Sequence, residues 1–479
     1  MPELLRARAA DQPDRTAIMT PGGRSLTFGA WDRRSDAVAR ALLDRGVRRG
    51  EPVALSFDGG DWPEFAIACL GVQKAGGAVL PLPTGLPPAQ ADGLRATAGA
   101  RLTLTGLDGL EPFGARPPDV RIDPEDLAQI VFTSGTTGTP KAVAASHANL
   151  AYGYRPHPRV RPYAHSRLFA HAFPIGTNAA QMMLMDTLTA HPAALALPFF
   201  DAARFCALVD EHRVGTVFLV PPMAAELLRS GAHRGHDLSS VLLVSSSAAA
   251  LPPATALELT RVFPAATVVN CYISTESAPA RTAMIVDPRR PGSLGAPADP
   301  RDLRILRSDG EAAAPGEVGE VWLRCPAPPR SYLGEERSDV FRDGWVRMGD
   351  LGRLDDDGHL HLTDRESDVI KCGGLKVSTV QVEAALHEHP AVVEAAVVGL
   401  PHPVMGAVVG AAVRTAEPVT APRLKRFLAD RLARHERPVR IAFVDDFPRT
   451  TTGKILKPRV RELLAEVRNH ETTSDPSPA

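Results

Sequence analysis

The chain has 479 residues, 44% of them apolar and 23% charged, and 54 Lys plus Arg face 55 Asp plus Glu for a formal net charge of −1. That apolar content excludes a disordered chain, and the near-neutral balance excludes strong attraction to nucleic acid or to an anionic membrane. At about 100–200 residues per domain the length allows two to four folding units.

In chain order, residues 26–49 read as a helix, with Trp31, Val38, Ala41 and Leu42 at near-helical spacing and Gly46 placed to end it. The run PVALSF follows as a buried strand, then a helical stretch around Phe65–Lys74 and a second strand, AVLPL. Strand and helix keep alternating over much of the first 300 residues, the pattern of an α/β domain with largely parallel strands. Near residue 300 the style changes to short alternating segments with Asp-Gly pairs, which predict β-hairpins. After Arg365 a compact α+β module is expected: VQVEAALHEH as helix, AAVVGL as strand, LKRFLADRLARH as helix with Leu424, Phe427, Leu428 and Leu432 on one face, and IAFVDDF as strand. The expected boundaries are 1–365 for the large domain, 366–467 for the small one, and a polar, disordered tail over 468–479.

The five cysteines are odd in number, and no two have zinc-ligand spacing. Reduced, mainly structural thiols of a cytoplasmic protein are the expectation. The start of the chain has no long apolar core, so no secretory signal is expected, and no run reaches the roughly 18 apolar residues of a membrane helix. The richness in Ala, Arg and Pro looks like that of proteins from GC-rich bacterial genomes, so a bacterial source is the expectation.

The strongest chemical signal is Val131–Lys141, VFTSGTTGTPK. An apolar strand runs into a loop of small hydroxyl residues and glycines that ends in Pro140 and Lys141. Glycine lets backbone N–H groups approach an anion, Ser and Thr add donors, and Lys adds charge, so this is a phosphate loop in physical terms. It lacks the GxxxxGK[ST] spacing of a Walker loop. A flexible surface turn is the bland alternative, and it leaves the concentration of hydroxyls, glycines and a lysine after a strand unexplained.

TSGTTGTPK resembles the signature loop of the adenylate-forming superfamily of acyl- and aryl-CoA synthetases, adenylation domains and luciferase. Further motifs follow in the family's order: SHANL with His147 and Asn149, YISTE at Tyr272–Glu276, GWVRMGDLG with Asp350, TDRESDVIKCGGLKVSTVQVE with Arg365, Lys371, Gly374 and Glu383, and PRTTTGKILK with Lys454. The match spans roughly residues 10–465. Singly, an Asp in MGDLG is a turn residue, a Lys in TTGK is solvated, and Glu276 suits a helix start. The ordered set gives them weight.

The resemblance implies an α/β fold with a large N-terminal domain, a small β-barrel-like subdomain and a small mobile C-terminal domain. It implies that Thr133, Ser134, Gly135, Thr136, Thr137, Gly138 and Lys141 hold the triphosphate of ATP, and that Tyr272 packs on adenine. Thr275 would bond the α-phosphate, Glu276 would coordinate Mg2+, Asp350 would accept from the ribose hydroxyls near Arg365, and Lys454 would bridge the acid and the α-phosphate. Joining two anions demands such positioning and positive charge. The pivot of the mobile domain falls on Ser367, where the family has Asp or Lys.

The acid pocket departs from the family pattern. Where the family has glycine-rich segments, this chain carries Ser247, Ala248, Cys271 and Ile273, and each added side chain takes volume at near-crystalline packing density. A shortened pocket for a small or aryl acid, not a long-chain fatty acid, is expected; the alternative is that Ile273 faces away. Phe173, Ile175, Thr177 and Asn178 are candidates for the other wall. His171 reads equally as a capped core histidine or a ligand contact. Asn178 stands where amino-acid-activating relatives carry Asp, which argues against an α-ammonium ligand. The acceptor is expected to be CoA, with a carrier-protein phosphopantetheine or an amine as alternatives, and the chain to be a monomer or homodimer. A non-catalytic nucleotide-binding relative is the remaining reading, disfavoured by Lys141, Glu276, Asp350, Arg365 and Lys454.

Overall fold

The structure is a computed structural model that describes residues 1–110, 118–133, 140–154, 161–248, 251–290, 292–325, 327–335, 338–365, 368–372, 375–449 and 455–471, with side chains described as far as 466. Contacts divide the chain into two compact units. The first comprises Met1–Ala248, Leu259–Val286 and Leu323–Arg347, the second Ala249–Glu258, Asp287–Trp322 and Met348–Ala479. Position 365 therefore lies inside the second unit.

The first unit holds two sheets. One is eight-stranded, in the order Thr282–Ile285, Thr267–Tyr272, Leu243–Ser246, Thr216–Leu219, Leu168–His171, Ala193–Ala196, Thr16–Met19 and Ser25–Thr27. Its inner strands are parallel and each edge pair is antiparallel. The other has six strands, in the order Ser331–Tyr332, Lys141–Ser146, Leu127–Thr133, Ala78–Pro81, Pro52–Leu55 and Leu102–Leu104. Strand–helix alternation is what lets such strands run parallel, because each crossover helix covers a sheet face.

The helix expected over 26–49 runs Phe28–Asp44. Thr27 caps it by accepting from the Ala30 N–H, and Gly46 turns the chain out at φ +82°. The next helix, Trp62–Lys74, is buried nearly all round, as an almost wholly apolar helix must be. Phe28, Trp31, Trp62 and Phe65 join one core that draws residues from both sheets. The Lys74 ammonium is fully buried there, 2.6 Å from Asp32 and 2.7 Å from Asp36.

The strand Trp345–Leu354, whose residues from Met348 on belong to the second unit, forms with Leu360–Arg365 the hairpin that the Asp-Gly signal predicts, with Asp350 opposite Arg365, Leu354 opposite Leu360 and a register shift between Leu351 and Gly352. The C-terminal module is a five-stranded sheet of Leu375–Val377, Ile370–Cys372, Gly406–Thr415 and Val392–His402, with Arg440–Phe443 on Gly406–Thr415. Alternation along Val392–His402 sends Ala395 and Val397 into a core with Leu424 and Leu428, and Ala396 and Val398 into another with Val460 and Leu464. The helix expected over LKRFLADRLARH is shorter, Ala421–Ala429, although Leu432 stays in the same core. The last helix, Lys457–Glu471, runs four residues past the expected start of the polar tail at 468. Residues 472–479 lie outside the described residues. Among the described residues no helix is long and apolar enough to cross a membrane.

Candidate active site

The two described ends of the phosphate-loop motif are paired as antiparallel strands. Leu127–Thr133 pairs with Lys141–Ser146, and Thr133 stands opposite Lys141. Ser134, Gly135, Thr136, Thr137 and Gly138 lie outside the described residues, between those two paired ends. At the base, the Thr133 and Tyr332 hydroxyls both donate to Glu276 Oε1, each at 3.3 Å. The Lys141 ammonium lies 4.3 Å from the centre of the Tyr332 ring, a cation–π contact. Burial beside the Glu276 carboxylate pushes the Tyr332 phenol up. Residues separated by more than 140 positions thus meet around one carboxylate.

A second convergence adjoins Glu276. Arg330 is 6% exposed. Its Nη1 donates to the Thr275 carbonyl and to Asn178 Oδ1, both at 2.9 Å, and its Nε donates to Asn149 Oδ1 at 2.9 Å. Burial lowers its pKa to about 10, against the opposing field of Glu276. Asn149 passes the connection on, donating to the Ala278 and Pro328 carbonyls. Its neighbour His147 is buried, which pushes that imidazole down to about 3.

The pocket candidates fall on two segments of this unit. Cys271 and Tyr272 end the Thr267–Tyr272 strand, and Ile273 follows; all three are half-buried. Ser247 and Ala248 leave the adjacent Leu243–Ser246 strand, whose Ser246 is in register with Asn270. Ala248 has φ +75°, the left-handed conformation that glycine adopts freely and a Cβ resists.

On the other segment Phe173 and Ile175 are buried. Thr177 caps the Asn178–Thr189 helix, accepting from the Ala180 N–H and donating to the Pro174 carbonyl. His171 is buried among Trp62, Phe169 and Phe173, with ring centroids 4.9–6.1 Å away, and burial pushes its pKa down to about 3. Of its two readings, this is the environment of a neutral core histidine.

Asp350 and Arg365 belong to the second unit, where they face each other across the hairpin with Arg365 Nε 3.3 Å from Asp350 Oδ1. Ser367 and Lys454 lie outside the described residues. Their flanks are defined. Arg449 and Ile455 bridge the ends of the segment that carries Lys454. Just beyond it, Lys457 pairs with Glu383 at 3.0 Å and Asp368 at 3.2 Å and donates to Thr379 at 2.8 Å. These partners hold its ammonium pKa up against burial.

The sequence reading did not single out Arg330 or Tyr332. Their segment, PPRSYLG, carries no periodicity or motif that the reading used, and a buried arginine has no local signature. The short strand Ser331–Tyr332, paired with Lys141–Ser146, is what brings them in.

The AMP-binding enzyme family model matches residues 5–117 and 108–333, and the AMP-binding enzyme C-terminal domain model matches 381–454. The chain is 31% identical to a feruloyl-CoA synthase of Amycolatopsis sp, over 95% of this chain and 97% of that protein. It superposes on ATP-bound MatB from Rhodopseudomonas palustris with a TM-score of 0.82 at 28% identity, covering 98% of this chain and all of that one. It superposes on the amide bond synthetase McbA from Marinactinospora thermotolerans with a TM-score of 0.81 at 25% identity, over 96% of this chain and 99% of that one.

Proposed function

Because the chain belongs to the AMP-binding enzyme family, we propose that it uses ATP to activate a small or aryl carboxylic acid and passes the acyl group to a pantetheine thiol, CoA first. A carboxylate oxygen of the acid attacks the α-phosphorus. The bond to the β-phosphate bridging oxygen breaks, and pyrophosphate leaves with its electron pair. The thiol then attacks the acyl carbonyl, AMP departs, and the thiol proton goes to solvent. The alternative acceptors are a carrier-protein phosphopantetheine or an amine. The Amycolatopsis relative is named a feruloyl-CoA synthase, while McbA is named an amide bond synthetase.

The observation that carries the reading is the convergence of the Thr133 and Tyr332 hydroxyls on the Glu276 carboxylate, with the Lys141 ammonium over the Tyr332 ring, at the base of the phosphate-type loop. A single carboxylate at the base of a phosphate-type loop, Glu276, suits Mg2+, which binds through one or two carboxylates and phosphate oxygens. Glu276 would hold it, and when bound it would supply charge neutralisation at the departing pyrophosphate. In this reading Thr133 and Lys141 flank the phosphates, Tyr272 packs on adenine, and Thr275 bonds the α-phosphate. Asp350, beside Arg365, accepts from the ribose. Lys454 enters with a mobile C-terminal domain that pivots at Ser367. Phe173, Ile175, Asn178, Cys271 and Ile273 bound the acid, and Ser247 and Ala248 shorten its pocket.

Pyrophosphate release, measured with ATP and a panel of aryl and short aliphatic acids, tests the reading. Release with small or aryl acids and none with long-chain fatty acids is expected. Silence over the whole panel with normal ATP binding would favour a non-catalytic nucleotide-binding role.

A further inference from the structure

We infer that Arg330 is a positioning residue that ties the acid-binding helix to the nucleotide-binding turn and, by holding Asn178 Oδ1, leaves Asn178 as a hydrogen-bond donor toward the acid. The inference rests on the proposed function only in taking Asn178 to face the acid.

The donor–acceptor chemistry fixes the orientation of the amide. A guanidinium has N–H donors and no acceptor, so the Asn178 atom 2.9 Å from Arg330 Nη1 must be the oxygen. The amide nitrogen then points elsewhere, and the partner it has in the structure is a weak acceptor, Met182 Sδ at 3.7 Å. A ligand reaching Asn178 meets N–H groups. Such a position suits an acid whose side chain carries an oxygen acceptor, such as a ring hydroxyl or ether, or a second carboxylate. An ammonium would find no free acceptor there, and a guanidinium close behind.

The clamp has a second arm. The same Nη1 holds the Thr275 carbonyl, and Nε holds Asn149, which is itself bonded to the carbonyl of Ala278. Arg330 therefore fixes the start of the Asn178–Thr189 helix and the turn that carries Thr275 and Glu276 with one planar group. A lysine ammonium at the Nη1 position could at best keep the two Nη1 bonds and would lose the Nε bond to Asn149, so it cannot reproduce the whole clamp. A charge this buried is costly when its partners are neutral oxygens. The cost is tolerated if the fixed geometry and the residual positive field serve the two anions that meet beside it.

A double-mutant cycle tests this on the whole protein. Asn178→Asp places a carboxylate against the guanidinium, so the pair gains a charge-assisted contact. Thermal unfolding of Asn178→Asp, Arg330→Met and the double variant should therefore be strongly non-additive, with Asn178→Asp at least as stable as the parent only while Arg330 is present. Additive shifts would overturn the contact, and this readout needs no substrate. The kinetic arm reads the role. Asn178→Asp should raise the KM for oxygen-bearing aryl acids roughly tenfold while leaving the KM for ATP within about twofold, the loss of one hydrogen bond of ordinary strength. It should gain no activity toward phenylalanine, because Arg330 occupies the new carboxylate. Arg330→Lys should fail to restore the parent kcat. Activation of phenylalanine by Asn178→Asp alone, or full activity of Arg330→Lys, would overturn the proposal. A protein that shows the non-additive cycle but releases no pyrophosphate with any acid would keep the clamp and discard the enzymatic reading.

Discussion

Buried charge is handled in opposite ways in two parts of the first unit. In the helix pair, the Lys74 ammonium is buried against two carboxylates, Asp32 and Asp36, and nothing of that charge is left for a ligand. At the site, Arg330 is almost as deeply buried, yet its hydrogen-bond partners are carbonyl and amide oxygens, and the Glu276 carboxylate takes its bonds from hydroxyls. The second unit repeats the helix-pair arrangement, with Lys457 set between Glu383 and Asp368. The difference separates a charge compensated within the fold from a charge left partly uncompensated, which the proposed function assigns to ionic substrates. That is why perturbing the first should cost stability and perturbing the second should cost chemistry.

The largest effect is expected where the compensation is complete. Lys74→Met leaves the buried Asp36 carboxylate and the half-buried Asp32 carboxylate without their cation and should destabilise the protein by about 3–5 kcal/mol. A denaturant titration measures it; a loss under about 1 kcal/mol would show that water reaches the Asp pair. Next, Lys454→Ala should slow acyl-adenylate formation by roughly 10²–10³, the usual cost of one electrostatic stabiliser of a developing charge. Transfer from a supplied acyl-adenylate should survive. Equal loss of both steps would contradict the assignment of Lys454 to the first half-reaction alone.

Smaller changes sharpen the contrast. Tyr332→Phe keeps the ring under Lys141 but removes one donor to Glu276. A bond to a charged group is worth about 1.5–3 kcal/mol, so adenylation should fall at least tenfold with little change in melting temperature. A variant that unfolds while its residual folded fraction keeps full activity would place Tyr332 with the structural charges instead. The smallest effect is expected for Ile273→Gly, which removes a half-buried side chain after the strand that ends at Tyr272. It should widen chain-length tolerance among aliphatic acids by a few-fold, one or two methylenes at about 0.8 kcal/mol each. An unchanged acid profile would mean that Ile273 points away from the acid.

Local patterns carried much of the architecture. Apolar periodicity located the helices Phe28–Asp44 and Trp62–Lys74, because a helix that covers a core must repeat its apolar residues. The same logic overextended the helix at Ala421–Ala429: Leu432 keeps the spacing and the burial, but its backbone lies beyond the helix end. Burial constrains side chains, and a short turn can deliver one to the same core. His171 illustrates a different limit. Its place in a wall segment fitted two roles, and only the rings of Trp62, Phe169 and Phe173 around it distinguish them.

By itself the sequence determined the kind of chemistry to look for. Glycine, hydroxyl and lysine side chains in one short loop and an ordered series of motifs are chemical statements that survive without coordinates. Tertiary structure decided which groups share a charge. Arg330 reaches Asn178 across 152 positions and Thr133 reaches Glu276 across 143, and no local pattern encodes such distances. It also decided that Ala248 keeps a left-handed backbone where a glycine would be at ease, since that conformation follows from how the surrounding strands close and not from the residue placed there.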